Sequence, residues 1–221
     1  MRSLVPLRGV LAAALLVAAA FLSAFLFPLG GNGSSVLYVS LIFAFFAYFF
    51  AGMASKGKPL PYLWLSFKGK RLPLLFLLGI ATGIACLLAS FALSAVLYAA
   101  GLLDAEPVLD KLSSLPLPAL IAAFTIAPLC EEMFFRGFLL RMLSESVFPK
   151  LGSLAFASSA ALSSFIFAIM HFSYGSLAEI AVAFSIGLIL CASIRKWGSL
   201  VPAIVAHALF NFASVAAMVL S

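Results

Sequence analysis

Long hydrophobic runs, separated by short polar or proline-containing segments, account for most of the chain. An α-helix needs about 20 predominantly apolar residues to cross ~30 Å of hydrocarbon. Because lipid cannot satisfy backbone hydrogen bonds, apolar runs of that length are expected to be helical. The pattern therefore predicts an all-α, polytopic transmembrane helical bundle. Its seven predicted spans are approximately residues 9–27, 35–53, 72–100, 117–143, 153–171, 177–194 and 200–220.

The predicted connections are short and carry residues that end helices, such as Pro28 after the first span and Pro59 after the second. Residues 56–71 also mix aromatic side chains, among them Tyr62 and Trp64, with several lysines. Aromatic rings of this kind lie at headgroup level, with the cations toward anionic lipid. We therefore expect this segment to lie at the membrane interface.

Composition excludes a soluble domain. Of the 221 residues, 65% are hydrophobic and 9% are charged, against roughly 45–50% apolar and 25% charged in soluble domains. Cys86, Cys130 and Cys191 each lie inside an apolar run and form neither a CxxC metal pair nor a disulfide pattern. They are interpreted as small core residues, and the chain is predicted to be an integral membrane protein.

The basic residues indicate how the chain is oriented. The net charge is +6, but the basic residues are scattered beside hydrophobic segments, so membrane lipid is the predicted partner and nucleic acid is not. Cytoplasmic loops collect Lys and Arg, and eleven of the thirteen basic residues fall on one side of the predicted topology. Lys111 lies on the other side and Arg136 lies inside a span, which predicts an N-terminus in the cytoplasm.

The main alternative for the first span is a cleaved signal peptide, since Arg2 and Arg8 flank its apolar run. That run is longer than the usual h-region of about 7–15 residues and lacks a clear small-residue cleavage site. We therefore expect the first span to be retained.

A few polar side chains inside the predicted spans mark where chemistry can take place. Charged residues in hydrocarbon cost several kcal/mol, so they usually face a bundle interior or a watery cavity where they have a function. The candidates are Glu131, Glu132 and Arg136 in the fourth span, His171 at the end of the fifth, and His207 and Asn211 in the seventh.

Glu131, Glu132 and Arg136 form one cluster with two expected roles. Glu132 and Arg136 are four residues apart, so they share a helical face and can form an ion pair. Glu131 lies about 100° around the helix and is left available to a cavity. Pro128 cannot donate a backbone hydrogen bond, which predicts a kink just before the acidic pair. The alternative is that the three charges have only a structural role, as a buried ion-pair network that joins two helices.

Two further pairs have the same four-residue spacing. Phe167 and His171 are predicted to lie side by side, with the aromatic ring against the imidazole. His207 and Asn211 can be aimed at one point in a cavity, Asn211 as an amide donor and His207 as donor or acceptor. A lone histidine near a helix end is more often an ordinary interfacial residue, but these are the only two histidines in the chain.

Together these side chains are suited to amide hydrolysis. A carboxylate and a histidine can polarise one water molecule by general-base action, and a His/Asn pair can donate to the oxyanion formed at a carbonyl. No Ser or Cys stands beside a base in a recognisable nucleophile motif, so a covalent mechanism has little support.

Three motifs carry a resemblance to a known family. The sequence contains Glu131-Glu132-x-x-x-Arg136, Phe167-x-x-x-His171 and His207-x-x-x-Asn211 in that order. They resemble the EExxxR, FxxxH and HxxxN motifs of the CAAX-protease and bacteriocin-processing family, also called the CPBP or ABI family. The resemblance covers roughly residues 117–215. It divides the chain into N-terminal transmembrane helices with the interfacial segment, 1–116, and a catalytic helical core, 117–221.

The resemblance implies an intramembrane endopeptidase that cuts membrane-anchored protein or peptide substrates, and whose eukaryotic relatives remove the last three residues of prenylated CAAX proteins. It implies that Glu131 and His171 activate water and that His207 and Asn211 form the oxyanion site. The compact chain is more similar to prokaryotic members, which implies a prokaryotic cytoplasmic membrane. The implied supporting residues are Glu132, Arg136 and Phe167.

No metal cofactor is favoured. The chain has no HExxH motif, and an amide is a poor ligand for Zn²⁺. The alternative is a zinc ion held by Glu131, His171 and His207.

Two other functions remain as alternatives. The chain could be a non-catalytic immunity or scaffold protein that keeps the family core. It could also be a proton-coupled transporter with Glu131 and His171 as a relay, although no internal repeat supports a transporter fold.

Overall fold

The computed structural model describes residues 34–65 and 71–220, and these residues form helices joined by short turns. Two π-helical segments, Met133–Leu139 and Leu143–Val147, and two 3₁₀ segments, Pro149–Leu154 and His171–Tyr174, join some of the helices. The α-helices are α1 (Ser34–Ala54), α2 (Pro59–Tyr62), α3 (Leu72–Ala99), α4 (Glu106–Ser113), α5 (Leu117–Phe124), α6 (Ile126–Glu132), α7 (Leu140–Met142), α8 (Ala155–Met170), α9 (Leu177–Trp197) and α10 (Val201–Leu220).

Six helical stretches in the described part of the chain are long and apolar enough to cross a membrane. They correspond to the second through seventh predicted spans, and the first predicted span lies outside the described residues. The all-α, polytopic bundle is therefore confirmed, and the chain is a multi-pass membrane protein. The six stretches are Leu37–Ala54, Leu72–Ala99, Leu117–Val147, Pro149–Tyr174, Leu177–Trp197 and Val201–Leu220.

Glycines let α3 and α10 approach closely. A Cβ atom on Gly83 would lie 2.8 Å from the Leu209 side chain, and one on Gly79 would overlap Val205. Small residues four apart allow membrane helices to pack backbone against backbone. This packing brings the long third helix of the bundle against the helix that carries the HxxxN motif.

The middle of the predicted interfacial segment is buried in protein at Tyr62, Leu63 and Leu65, whereas residues 56–61 are exposed or half-buried. The side chain of Leu63 is fully buried and lies against Gly137, while the backbone N–H of Leu200 donates to the carbonyl of Trp64 at 3.1 Å. Arg141 donates to the Tyr62 carbonyl at 2.7 Å and covers the Tyr62 ring. Residues 59–65 thus fix one end of the bundle rather than facing lipid headgroups alone.

Candidate active site

The span that carries Glu131 and Glu132 is broken on both sides of them. α5 ends at Phe124 and α6 begins at Ile126, with Thr125 between them at φ −116° and ψ −72°. The kink predicted at Pro128 therefore lies three residues earlier, where the missing N–H of Pro128 leaves the preceding turn weak. A π-helical segment follows directly from Met133. Wide turns of this kind are frequent at functional sites.

Glu132, Arg136 and His207 form a closed cluster in the centre of the bundle. Nη1 of Arg136 donates to Oε1 of Glu132 at 2.8 Å, and both side chains are fully buried. Nδ1 of His207 lies 2.9 Å from the same oxygen. Because a carboxylate only accepts hydrogen bonds, Nδ1 of His207 carries the hydrogen. The predicted ion pair is present, and it also binds a histidine of another helix.

Glu131 lies beside this closed cluster but is more accessible. Its Oε2 is 3.8 Å from Nε2 of His207, and its side chain is 23% exposed. The adjacent residue, Glu132, is fully buried. Two neighbouring carboxylates therefore flank one imidazole, one in a buried ion pair and one partly exposed.

Phe167 connects the two histidines and the arginine. Its ring lies 4.7 Å from the His171 ring and 5.6 Å from the His207 ring. The Arg136 guanidinium carbon lies 4.1 Å from the centre of the same ring, a distance at which a cation is attracted to an aromatic face. All three motifs thus meet around one side chain.

His171 begins the 3₁₀ segment that follows α8. Its Nδ1 lies 3.0 Å from the carbonyl oxygen of Phe167, so Nδ1 donates and Nε2 keeps its lone pair. Its ring stacks on Tyr174 at 5.8 Å. No hydrogen bond or ion pair joins it to Glu131 in the described part of the chain.

Asn211 makes a hydrogen bond next to the break between α5 and α6. Its Nδ2 donates to the carbonyl of Ala123 at 2.8 Å, close to Thr125. The amide has a second hydrogen on the same nitrogen, which this contact does not use. Asn211 is therefore placed to serve the fold and a ligand together.

A cavity of about 240 Å³ opens beside these groups. His171 and Asn211 line it, whereas Glu131 and His207 lie outside its lining. The structure thus brings the candidates together as two neighbouring pairs, His171 with Asn211 in the cavity and Glu131 with His207 beside Phe167.

The cavity also contains residues that the sequence reasoning missed. Glu179, Tyr174 and Ser176 line it. The sequence signal was available: Ser176-x-x-Glu179 is a helix-start pattern that puts a carboxylate in the first turn of an apolar helix. The Ser176 hydroxyl does accept from the backbone N–H of Glu179, at 3.0 Å.

Helix α4 lines one side of the cavity. Hydrogen bonds of two residues hold it in place, Asp104 just before the helix and Lys111 on it. Asp104 accepts from the Ser176 hydroxyl at 2.7 Å and from the backbone N–H groups of Leu177 and Ala178. The Ser176 hydrogen bond, followed by those of the backbone, lowers the pKa of Asp104 below its ordinary value. On α4 itself, Lys111 donates to the Ser173 carbonyl, and burial lowers the pKa of Lys111.

The zinc alternative requires three donor side chains around one point. Within residues 34–65 and 71–220, no group of three or more His, Cys, Asp or Glu side chains is arranged to hold a metal ion. Nδ1 of His207 is occupied by Glu132, and Nδ1 of His171 by the Phe167 carbonyl. These hydrogen bonds leave Nε2 of each histidine free, so the zinc alternative with Glu131, His171 and His207 stays an untested prediction.

Comparison with known proteins gives one match. The family described as type II CAAX prenyl endopeptidase, Rce1-like, matches residues 113–213. No curated protein and no solved structure matches the chain. The match covers all three motifs, from Glu131 to Asn211, and confirms the resemblance seen in the sequence. Residues 113–213 are thus similar to the Rce1-like type II CAAX prenyl endopeptidases, a family of proteases.

Proposed function

We propose that this chain is an intramembrane endopeptidase that hydrolyses peptide bonds of membrane-anchored proteins or peptides without a metal. The observation that carries the proposal is the convergence of the three motifs on the Phe167 ring, next to a cavity lined by His171 and Asn211. A carboxylate, two imidazoles and an amide on rigid helices are what water-mediated amide hydrolysis requires.

Glu131 and His171 activate the attacking water. Nε2 of His171 has a free lone pair because Nδ1 is bound to a carbonyl, and Glu131 is the accessible carboxylate of the acidic pair. A water molecule between them gives up a proton to this carboxylate and imidazole pair as its oxygen attacks the carbonyl carbon. The proton then passes to the leaving amine as the C–N bond breaks.

His207 and Asn211 stabilise the oxyanion. Asn211 donates through the amide hydrogen that Ala123 does not take. His207 donates from Nε2 in its protonated form, with Nδ1 held by Glu132. Donors fixed in advance stabilise the developing charge without reorganisation. Glu132 and Arg136 position His207 and do not touch the substrate.

The experiment compares the wild type with Glu131→Gln in liposomes. The probe is a pool of peptides, each with an apolar transmembrane segment of about 20 residues and a short randomised tail, with cut sites read by mass spectrometry. We expect Glu131→Gln to lose at least about 100-fold in rate. Glu145→Gln is the matched control, because Glu145 pairs with Arg141 away from the site. Equal cleavage by the wild type and Glu131→Gln would overturn the proposal.

The same assay tests the cofactor. We expect full activity after metal removal with a tight chelator, because no step of this mechanism uses a metal ion. Activity that is lost on chelation and restored by Zn²⁺ would contradict the mechanism and support zinc held by Glu131, His171 and His207.

We also propose that the protein lies in a prokaryotic cytoplasmic membrane with its N-terminus in the cytoplasm. The asymmetric placement of the basic residues supports this orientation. Single cysteines introduced at Glu106 and at Lys150 test it, since a membrane-impermeant reagent added to whole cells is expected to label the first and not the second. Labelling of Lys150→Cys alone would reverse the orientation.

A further inference from the structure

The cavity contains one charged side chain from the described residues, Glu179. It lies in the first turn of α9 and shares the cavity with His171, Tyr174 and Asn211. No Lys or Arg of the described chain lines this cavity. The lining of this cavity therefore carries one carboxylate and no basic side chain among the described residues.

The Glu179 carboxylate is not used by the hydrogen bonds of the fold. The backbone N–H of Glu179 donates to the Ser176 hydroxyl at 3.0 Å, and that hydroxyl donates to Asp104 at 2.7 Å. The return bond of a capping box, from the backbone N–H of Ser176 to the glutamate side chain, is not made in the described part of the chain. The carboxylate is thus left to interact with the groups in the cavity.

Nearby cations have other partners. Lys111 donates to the Ser173 carbonyl and lies over the Tyr174 ring, 5.4 Å from its centre. Arg136 is fully buried against Glu132. No ion pair of the described residues involves Glu179. Glu131 adds a second carboxylate next to the cavity, and both glutamates interact electrostatically with Tyr174.

We infer that Glu179 determines specificity: it selects substrates with a Lys or Arg side chain close to the scissile bond and disfavours a free C-terminal carboxylate there. The inference rests on the proposed function and names its substrate class. Charges interact strongly where water is scarce, so an opposite charge on the substrate is favoured and a like charge is rejected.

Glu179 is also expected to affect where along the substrate chain the cut is made. A chain cut three residues from its end brings its carboxylate within about 10 Å of the scissile bond. In this cavity that carboxylate would meet Glu179 and no lining Lys or Arg of the described chain. Cleavage inside a chain, beside a basic residue, suits the site better than removal of a free C-terminal tripeptide.

The test uses the randomised peptide pool with the full-length protein in liposomes. For the wild type we expect Lys and Arg to outnumber Asp and Glu near the cut sites by about tenfold relative to the uncut pool. Glu179→Gln is expected to remove this preference, and Glu179→Lys to reverse it. Glu106→Gln is the matched control, since Glu106 is an exposed carboxylate on α4 outside the cavity lining, and it is expected to keep the wild-type preference.

A second arm compares pools with free and amidated C-termini. Cuts within three residues of the end are expected at least about tenfold more often in the amidated pool. If Glu131-dependent cleavage occurs but the wild type and Glu179→Lys show the same charge preference, the inference is overturned and the proposed function stands. If no cleavage depends on Glu131, the proposed function fails, and the inference fails with it.

Discussion

The two sides of Phe167 use similar residue types in opposite ways. On one side, Glu132, Arg136 and His207 form the closed cluster, with side chains 0%, 0% and 5% exposed. On the other side, His171 and Glu179 face a cavity of about 240 Å³. A glutamate and a histidine occur on both sides, so residue type alone does not decide which pair is structural.

The two sides differ in how many hydrogen bonds their carboxylates and imidazoles already make within the protein. In the closed cluster one carboxylate oxygen binds both the guanidinium and the imidazole, at 2.8 and 2.9 Å. In the cavity, Nε2 of His171 and the Glu179 carboxylate make no such bond among the described residues. Buried charges must be paired to be tolerated, whereas groups that act on a ligand must also be accessible to it. Oε2 of Glu132 and Nη2 of Arg136 have no hydrogen-bond partner among the described residues, but both are buried.

Breaking the closed cluster is expected to have the largest effect on stability. Arg136→Met removes the arginine from the buried Glu132 carboxylate and leaves His207 as its one hydrogen-bond partner among the described residues, which is expected to cost about 3–5 kcal/mol. The double variant Glu132→Gln with Arg136→Met removes both charges and keeps an acceptor for His207, so it is expected to recover most of the loss. Melting temperatures in detergent measure this. A double variant no more stable than Arg136→Met would contradict the pairing argument.

Crowding the closed cluster is expected to have the next largest effect. A Cβ on Gly187 would lie 2.8 Å from Cβ of Ser164 and 3.0 Å from Nη2 of Arg136, so Gly187→Ala is expected to cost about 1–3 kcal/mol through overpacking. Gly52→Ala is the control, because a Cβ there meets nothing within 4 Å, and alanine favours the helix. Equal melting temperatures for the two variants would show that the cluster has free space.

On the cavity side of Phe167, stability is expected to depend on pH rather than on packing. The pKa of Asp104 is lowered, first by the Ser176 hydrogen bond, so its contribution to stability is present above about pH 4 and is lost as pH falls through the folded-state pKa. We expect the amides of Leu177 and Ala178 to exchange faster at pH 3 than at pH 6, after correction for intrinsic rates. Asp104→Asn is expected to exchange fast at both.

Asp110→Asn is the matched control for this pH effect, because Asp110 is an exposed carboxylate on α4, the helix that follows Asp104. It is expected to show the wild-type dependence. Equal protection at pH 3 and pH 6 in the wild type would show that Asp104 does not hold the start of α9.

The smallest expected effect lies at the far end of the bundle, where Arg141 covers Tyr62. The Tyr62 hydroxyl is buried without a hydrogen-bond partner among the described residues, and burial, followed by Glu145, raises the pKa of Tyr62 to about 12, against the effect of Arg141. Tyr62→Phe removes that unpaired hydroxyl and keeps the ring, so the melting temperature is expected to rise by the equivalent of at most about 1 kcal/mol. Tyr62→Leu loses the ring and is expected to be less stable. A lower melting temperature for Tyr62→Phe would show that the hydroxyl has a partner.

The sequence was sufficient for the features that depend on local spacing. The apolar runs predicted the bundle, and the four-residue spacings predicted the contact of Glu132 with Arg136 and that of Phe167 with His171, at 2.8 Å and 4.7 Å. Contacts of this kind follow from helix geometry alone.

Features that depend on irregular backbone could not be predicted. The break lies at Thr125 rather than directly before Glu131, and a π-helical segment begins at Met133. Together they set how the acidic pair meets α10, which is why the hydrogen bond of Glu132 to His207 was not foreseen. Glu179 was missed for another reason: its spacing indicates a helix start, and only the tertiary packing places it in the cavity.

The most direct test of the account is cleavage by His171→Gln, measured with the peptide pool next to its melting temperature. His171 lines the cavity, and its one hydrogen bond among the described residues goes to the Phe167 carbonyl of the preceding helix, α8. We predict a melting temperature close to that of the wild type and a loss of at least about 100-fold in cleavage rate. Cleavage at the wild-type rate by a folded His171→Gln protein would contradict the catalytic role of His171 and of the cavity that it lines.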